Sequence, residues 1–274
     1  MKKIIISNGP VEAVILPDFG GTVAHLKLNG TDVLRMDEGM LGVSNTLAGG
    51  IPVLFPFVSA IPNNEAVFRG ESYTMPTHGF VKDLPFETVR AESDTCEILL
   101  RSNEVTRRYY PYEFEFRLIY EITGCALKTT MVVKNNSDAN LPFAAGFHPY
   151  FLTPDRTKTR FSFGLKEYWN YLKCDESGSP LYGTVEGEVK LADEHDTVFW
   201  NGSADCEIIC EEPAYRVKLE CGKTFDVITI CTNLENASCV EPWQARPGAT
   251  KRQEECIWLA PGTEESYSYT IHLA

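Results

Sequence analysis

Tyr112-Glu113-Phe114-Glu115-Phe116-Arg117-Leu118-Ile119-Tyr120-Glu121 decides the fold class. Its even positions are apolar through Tyr120 and its odd positions are charged up to Arg117. That period of two is the signature of a strand with one face buried and the other wet. The same texture recurs along the chain and predicts strands at Lys3–Ser7, Val11–Leu16, Thr22–Leu28, Glu87–Val89, Cys96–Ser102, Phe114–Ile122, Leu127–Lys134, Glu207–Cys210, Arg216–Glu220, Val227–Thr232 and Glu265–His272. Turn chemistry separates them at Asn29-Gly30, Thr123-Gly124, Asn135-Asn136-Ser137-Asp138, Asn201-Gly202 and Cys221-Gly222. No segment carries a long helical period, and no repeat, low-complexity tract or linker divides the chain. The expected architecture is all-β, a large antiparallel β-sandwich over residues 1–274 as a single domain.

The composition supports a large core and narrows the partners. Of the 274 residues, 43% are hydrophobic and 23% charged, close to ordinary globular usage. The formal charge of -13 opposes nucleic acid and anionic membranes, which need clustered Lys and Arg. A neutral small molecule is the expected partner, and monomer and homodimer both stay open. The apolar stretch after Lys3 is far too short for a signal-peptide core, and no run of about 18 apolar residues exists. Nine cysteines, an odd and scattered number, fit reduced thiols in a cytoplasmic protein. Cys206 and Cys210 lack a turn and a second ligand pair, so no metal is expected.

Function is sought where the alternating texture breaks, at Gly49–Ile61, Thr77–Phe86, Gly146–Pro154 and Cys239–Gly248, since loops on a rigid sheet usually carry the chemistry. The chain has no Ser-nucleophile elbow, phosphate-cradling glycine loop or HExxH pair, which leaves histidines and carboxylates. His25 and His272 sit within strand-like stretches and His195 in an acidic turn, where structural or solvated roles suffice. His78 is followed by Gly79, and His148 precedes Pro149, which biases it to an extended backbone at a strand end. Each reads equally as a structural or a catalytic histidine. Glu241 ends an apolar stretch before Pro242 and Trp243; a carboxylate desolvated there has a raised pKa suited to a base. An exposed strand-end Glu is the plainer alternative.

Taken together, Gly49-Gly50-Ile51-Pro52-Val53-Leu54-Phe55-Pro56, Thr77-His78-Gly79-Phe80, Gly146-Phe147-His148-Pro149-Tyr150-Phe151 and Val240-Glu241-Pro242-Trp243 resemble, in order and separation, the aldose 1-epimerase family in its shorter bacterial-type branch. The resemblance implies a galactose mutarotase-like sandwich that holds a sugar in a cleft and exchanges its anomers without a cofactor. It also implies roles: Glu241 as general base, His148 as general acid, His78 as a second histidine at the anomeric region, and Asp196 as a ligand of sugar hydroxyls. Lys82 stands where the branch often has Arg, while Ser59-Ala60 replaces a sugar-contacting Gly-Arg pair. Arg69 is a further candidate cation at the cleft, and Trp243, Tyr150 and Phe55 are candidates for stacking on the sugar ring, although such rings are more often simply core.

Rival readings follow from the same residues. A hexose 6-phosphate substrate would require cations at the rim, where Arg69, Lys82, Arg246 and Lys251 are the available ones. A non-catalytic carbohydrate-binding protein would explain the missing Arg, but has no use for an acid and a base together. A sandwich without any ligand would leave the loop motifs unexplained.

Overall fold

The Phe114–Thr123 strand pairs along its whole length with Ala126–Asn135, from Phe114 opposite Asn135 to Thr123 opposite Ala126. The hairpin turns at Gly124, whose φ of 59° suits glycine. Alternate residues Phe114, Phe116, Leu118, Tyr120 and Ile122 are buried, as their spacing predicts. The computed structural model describes residues 1–43, 46–190, 194–232 and 234–274. Ala192 and Asp193, in the acidic turn read from the sequence, lie outside them.

The architecture is an antiparallel β-sandwich. From edge to edge, the larger sheet runs Val53–Leu54, Gly146–Phe147, Ala237–Trp243, Val227–Cys231, Asp196–Glu211, Ala214–Glu220, Glu264–Leu273, Ala126–Asn135, Phe114–Thr123, Thr95–Arg101 and Glu87–Ala91. Thr159–Cys174 pairs with Asp196–Glu211 beside this path. A second sheet of Ile4–Asn8, Val11–Leu16, Thr22–Leu28 and Thr31–Asp32 lies against the Phe114–Thr123 and Thr95–Arg101 strands. Between them is a core rich in aromatics, in which Phe55 meets Tyr110, Phe114, Phe116 and Phe143 at centroid distances of 4.5–6.1 Å. Such pairs add to the stabilisation that burial alone gives. Among the described residues no helix is long and apolar enough to cross a membrane.

Two long strands escape the sequence pattern. Thr159–Cys174 begins with buried Thr159, Phe161, Phe163 and Leu165, then becomes half-buried or exposed from Glu167 onward. Its register against Asp196–Glu211 shifts between Phe163 and Gly164, where the partner strand carries the extra residues, so its own alternation runs unbroken through Leu165. Asp196–Glu211 was expected only as Glu207–Cys210; its first half extends to the sheet region that carries the candidate site.

Candidate active site

The register across three strands builds the site. Asp196 pairs with Cys231 and Val198 with Thr229. Cys231 pairs in turn with Cys239, Thr229 with Glu241, and Val227 with Trp243. Residues directly opposite one another share a sheet face, so these strands project Asp196, Cys231 and Cys239 in one row beside Val198, Thr229 and Glu241 in the next. The other face sends Phe199, Ile228, Ile230 and Val240 into the main core. His148 comes from the short link between Gly146–Phe147 and Tyr150–Leu152. Its N–H donates to Pro52 O at 3.0 Å, and Val240 N–H donates to Pro149 O at 3.2 Å. These bonds seat the His148-Pro149 corner against the strand that carries Glu241.

His148 Nε2 lies 3.1 Å from Glu241 Oε2. Glu241 is 1% exposed and His148 7%. Burial pushes the Glu241 carboxyl well above its ordinary range, with Cys231 and Asp196 adding to the rise. Burial holds the His148 imidazole well below its ordinary value, and neighbouring His78 lowers it further. A dry site penalises separated charges, so the empty pair favours one proton on Glu241 and a neutral ring on His148. The pair is close but not aligned as a full hydrogen bond: among the described residues Glu241 Oε2, His148 Nδ1 and Thr229 Oγ1 have no well-aligned hydrogen-bond partner, while the Trp243 indole lies near enough to Glu241 to interact with its carboxyl. Buried polar atoms are normally satisfied.

His78 completes the centre. Its ring meets that of His148 edge-on at 5.2 Å and that of Trp243 at 6.0 Å. The backbone here is tight: His78 has φ 64°, and at Gly79 any Cβ would lie 1.9 Å from Phe55 O. Ser59 N–H donates to His78 Nδ1 at 3.2 Å, while His78 N–H donates to Ser59 O at 3.0 Å. Nδ1 is thereby an acceptor, which places the ring proton on Nε2. Burial, and then the charge of Lys82, lower the His78 pKa to about 4. At neutral pH His78 is a neutral donor of fixed tautomer.

The other sequence-predicted residues divide. Asp196 is half-buried on the face of Glu241, its pKa raised by burial, and lines a cavity of about 370 Å³ with Cys231 and Thr232. Lys82, 7% exposed, is close enough to depress His78, and its Nζ pairs with Asp83 at 2.5 Å. Trp243 is buried against Leu54, Val58, Val198 and Val227, so it walls the site more than it offers a face. Tyr150 is buried, and its ring stacks on that of His148 at 4.7 Å. Phe55 is corrected, since it is wholly enclosed in the aromatic core. Arg69 pairs with Asp138 at 2.7 Å, lies over the Tyr112 ring, and lines a cavity of about 410 Å³ that includes none of His78, His148 or Glu241. It does not join the candidate centre.

Several residues at the centre carried no sequence signal of a role. Ser59, read only as the replacement of a missing pair, fixes the His78 tautomer through its main chain. Thr229 is a buried polar residue in Val227–Cys231; its place opposite Glu241 follows from strand pairing that no local pattern gives. Cys239 was counted as one scattered thiol, yet its sulfur, a ring nitrogen of His148 and a carboxylate oxygen of Glu241 all lie within 4.8 Å of one another.

His148 and Glu241 thus form a buried histidine–carboxylate pair on an antiparallel β-sandwich. A profile of the aldose 1-epimerase family matches residues 2–272, and the chain belongs to that family. Its fold is similar to the Slr1438 protein of Synechocystis sp. PCC 6803, with a TM-score of 0.90, 23% identity and coverage of 100% of this chain and 96% of that one. It is also similar to a galactose mutarotase related enzyme of Lactobacillus acidophilus, at TM-score 0.86, 20% identity and coverage of 100% and 97%. Protein LacX of Lactococcus lactis is 28% identical over 112 residues, a match spanning 39% of this chain and 38% of LacX. A candidate glucose-6-phosphate 1-epimerase of Salmonella typhimurium is 24% identical over 232 residues, 78% of this chain and 70% of that protein.

Proposed function

We propose that this protein interconverts the α and β anomers of a free aldose by acid–base ring opening and reclosure at Glu241 and His148, without a cofactor. The observation that carries this reading is the 3.1 Å contact between His148 Nε2 and Glu241 Oε2 in a buried centre with unsatisfied polar atoms. In the reactive form the shared proton is on His148 and Glu241 is a carboxylate. Glu241 takes the proton of the C1 hydroxyl while His148 gives its proton to the ring oxygen. The bond from C1 to the ring oxygen breaks, leaving an open-chain aldehyde. Rotation about C1–C2 and reclosure give either anomer. Reclosure reverses both transfers, Glu241 returning a proton to the C1 oxygen and His148 taking one from the C5 hydroxyl, so the dyad ends with its single proton on His148, as it began. Positioned groups of this kind contribute about 100- to 10,000-fold each. His78, donating from Nε2, orients the sugar at the reacting end, and Asp196 accepts from its hydroxyls.

The 6-phosphate reading is favoured only by the name of the Salmonella relative. Of the cations that would serve a phosphate, Lys82 pairs with Asp83, Arg69 with Asp138, and Arg246 with Glu255, which also holds Arg252, while Lys251 is exposed. Magnetisation exchange between anomeric protons, measured by NMR across free aldoses and their 6-phosphates, tests the proposal. Exchange faster than buffer for a free aldose is expected. Exchange confined to 6-phosphates would move the substrate class, and tight sugar binding without exchange would make this a binding protein.

A further inference from the structure

The acid–base reading gives Cys239 no task, although its sulfur shares a 4.8 Å sphere with His148 and Glu241. All three side chains are buried, with exposures of 1%, 7% and 1%. Glu241 Oε2 and His148 Nδ1 are also left without hydrogen-bond partners. Directly opposite Cys239 in the sheet stands Cys231, whose thiol contacts that of Cys239. We infer that this centre is also a binding site for a thiophilic divalent cation of the zinc class, held by Cys239, His148 and Glu241, and that its occupancy stops turnover. The inhibitory half rests on the acid–base function proposed above; the binding half does not.

The donor chemistry selects the cation. Sulfur, imidazole nitrogen and one carboxylate oxygen suit four-coordinate zinc with three protein ligands and an open position. Calcium and magnesium require six or more oxygens or a shell of waters, which one carboxylate among a thiol and an imidazole does not supply. The fourth position faces either Cys231 or an incoming hydroxyl. Charge points the same way. A thiolate and a carboxylate buried together are costly alone, but a divalent cation neutralises both. A thiol ligates such a cation as the thiolate, so binding releases its proton. Affinity therefore rises with pH. A bound cation occupies both the carboxylate that must accept a proton and the imidazole that must donate one, so metal and turnover exclude each other.

Cobalt titration of the full chain, followed by absorption, tests binding without reference to activity. The background carries Cys125→Ser and Cys174→Ser, which remove the exposed thiols. One equivalent of cobalt should produce a thiolate-to-metal charge-transfer band, and zinc should displace it. Cys239→Ser should lose that band and weaken zinc binding by about tenfold or more, the scale on which altered metal sites lose affinity. Its sugar exchange, taken relative to its own zinc-free rate, should be insensitive to zinc, while the parent is inhibited and recovers with chelator. Circular dichroism checks that the variant folds, and Cys239→Ala with Glu241→Gln provide second routes to the same loss of metal. Absence of the band, or its survival in all three variants, overturns the site. Metal binding as described in a protein that exchanges no sugar would leave the site standing and overturn the epimerase reading instead. Normal exchange in the parent, unaffected by saturating zinc, would overturn the inhibitory half.

Discussion

Glu241 Oε2 and His148 Nε2 stand 3.1 Å apart on side chains almost wholly removed from water, an arrangement that stability alone would not favour. Burial raises the Glu241 pKa, so its contribution to folding is complete below the ordinary carboxylate range and is lost as pH rises toward and through its folded value. A neutral isostere escapes that loss. Glu241→Gln should therefore be more stable than the parent at neutral pH, by about 1–3 kcal/mol if the unsatisfied oxygen is relieved. Each kcal/mol corresponds to a rise of roughly 2–4 °C in Tm. The gain should shrink toward zero in acid, where Glu241 is protonated in the unfolded chain as well. Thermal melts across pH check this, and a less stable variant at neutral pH would show that the carboxylate is held in place by favourable contacts.

The pH profile of exchange should be bell-shaped, and the burial of the pair determines which event forms each limb. Because the active dyad holds one proton, the acid limb is the gain of a second, opposed by the depression of His148 below its ordinary value. The alkaline limb is the loss of the only proton, delayed by the elevation of Glu241. Both limbs belong to the pair rather than to single residues. The plateau should thus reach below the ordinary histidine value of about 6.5. Activity that falls as pH drops through that value would contradict the neutral resting state of His148. Rate measurements on a free aldose over the full pH range decide between them.

His78 should act on binding more than on turnover, because Ser59 fixes it as a donor and its low pKa of about 4 keeps it neutral. Asparagine tolerates the left-handed backbone at this position. His78→Asn is expected to fold normally and to raise KM by about tenfold, the value of roughly 1.4 kcal/mol in lost binding, with a smaller change in kcat. Steady-state kinetics and a melt on the same sample separate this from a folding defect. A loss confined to kcat would make His78 part of the proton transfer itself.

What could be read from the sequence depended on whether information was local. Phe114–Thr123 announced itself because every second residue meets one continuous core. In Thr159–Cys174 the alternation of Thr159, Phe161, Phe163 and Leu165 is legible but short, and the passage from core to rim leaves Glu167–Cys174 with no clean alternation. His78, His148 and Glu241 stood out through neighbouring Gly and Pro and through the order of motifs spanning the chain. Phe55 and Arg69 were misplaced for the converse reason: proximity to a motif does not set direction, and Phe55 points into the aromatic core while Arg69 turns to Asp138. Thr229, Cys231 and Cys239 join the centre only through pairing between strands distant from the loops that drew attention.

The central claim is that Glu241 and His148 work as one proton-transfer unit, and a double-mutant cycle on anomeric exchange measured by NMR tests it most directly. Glu241→Gln removes the base and His148→Asn the acid, and each alone should lower the exchange rate by about 100-fold or more while sugar binding persists. Groups acting in one step are strongly non-additive, so the double variant should be little slower than either single one. Near-parental exchange in Glu241→Gln, or losses that multiply in the double variant, would contradict the account.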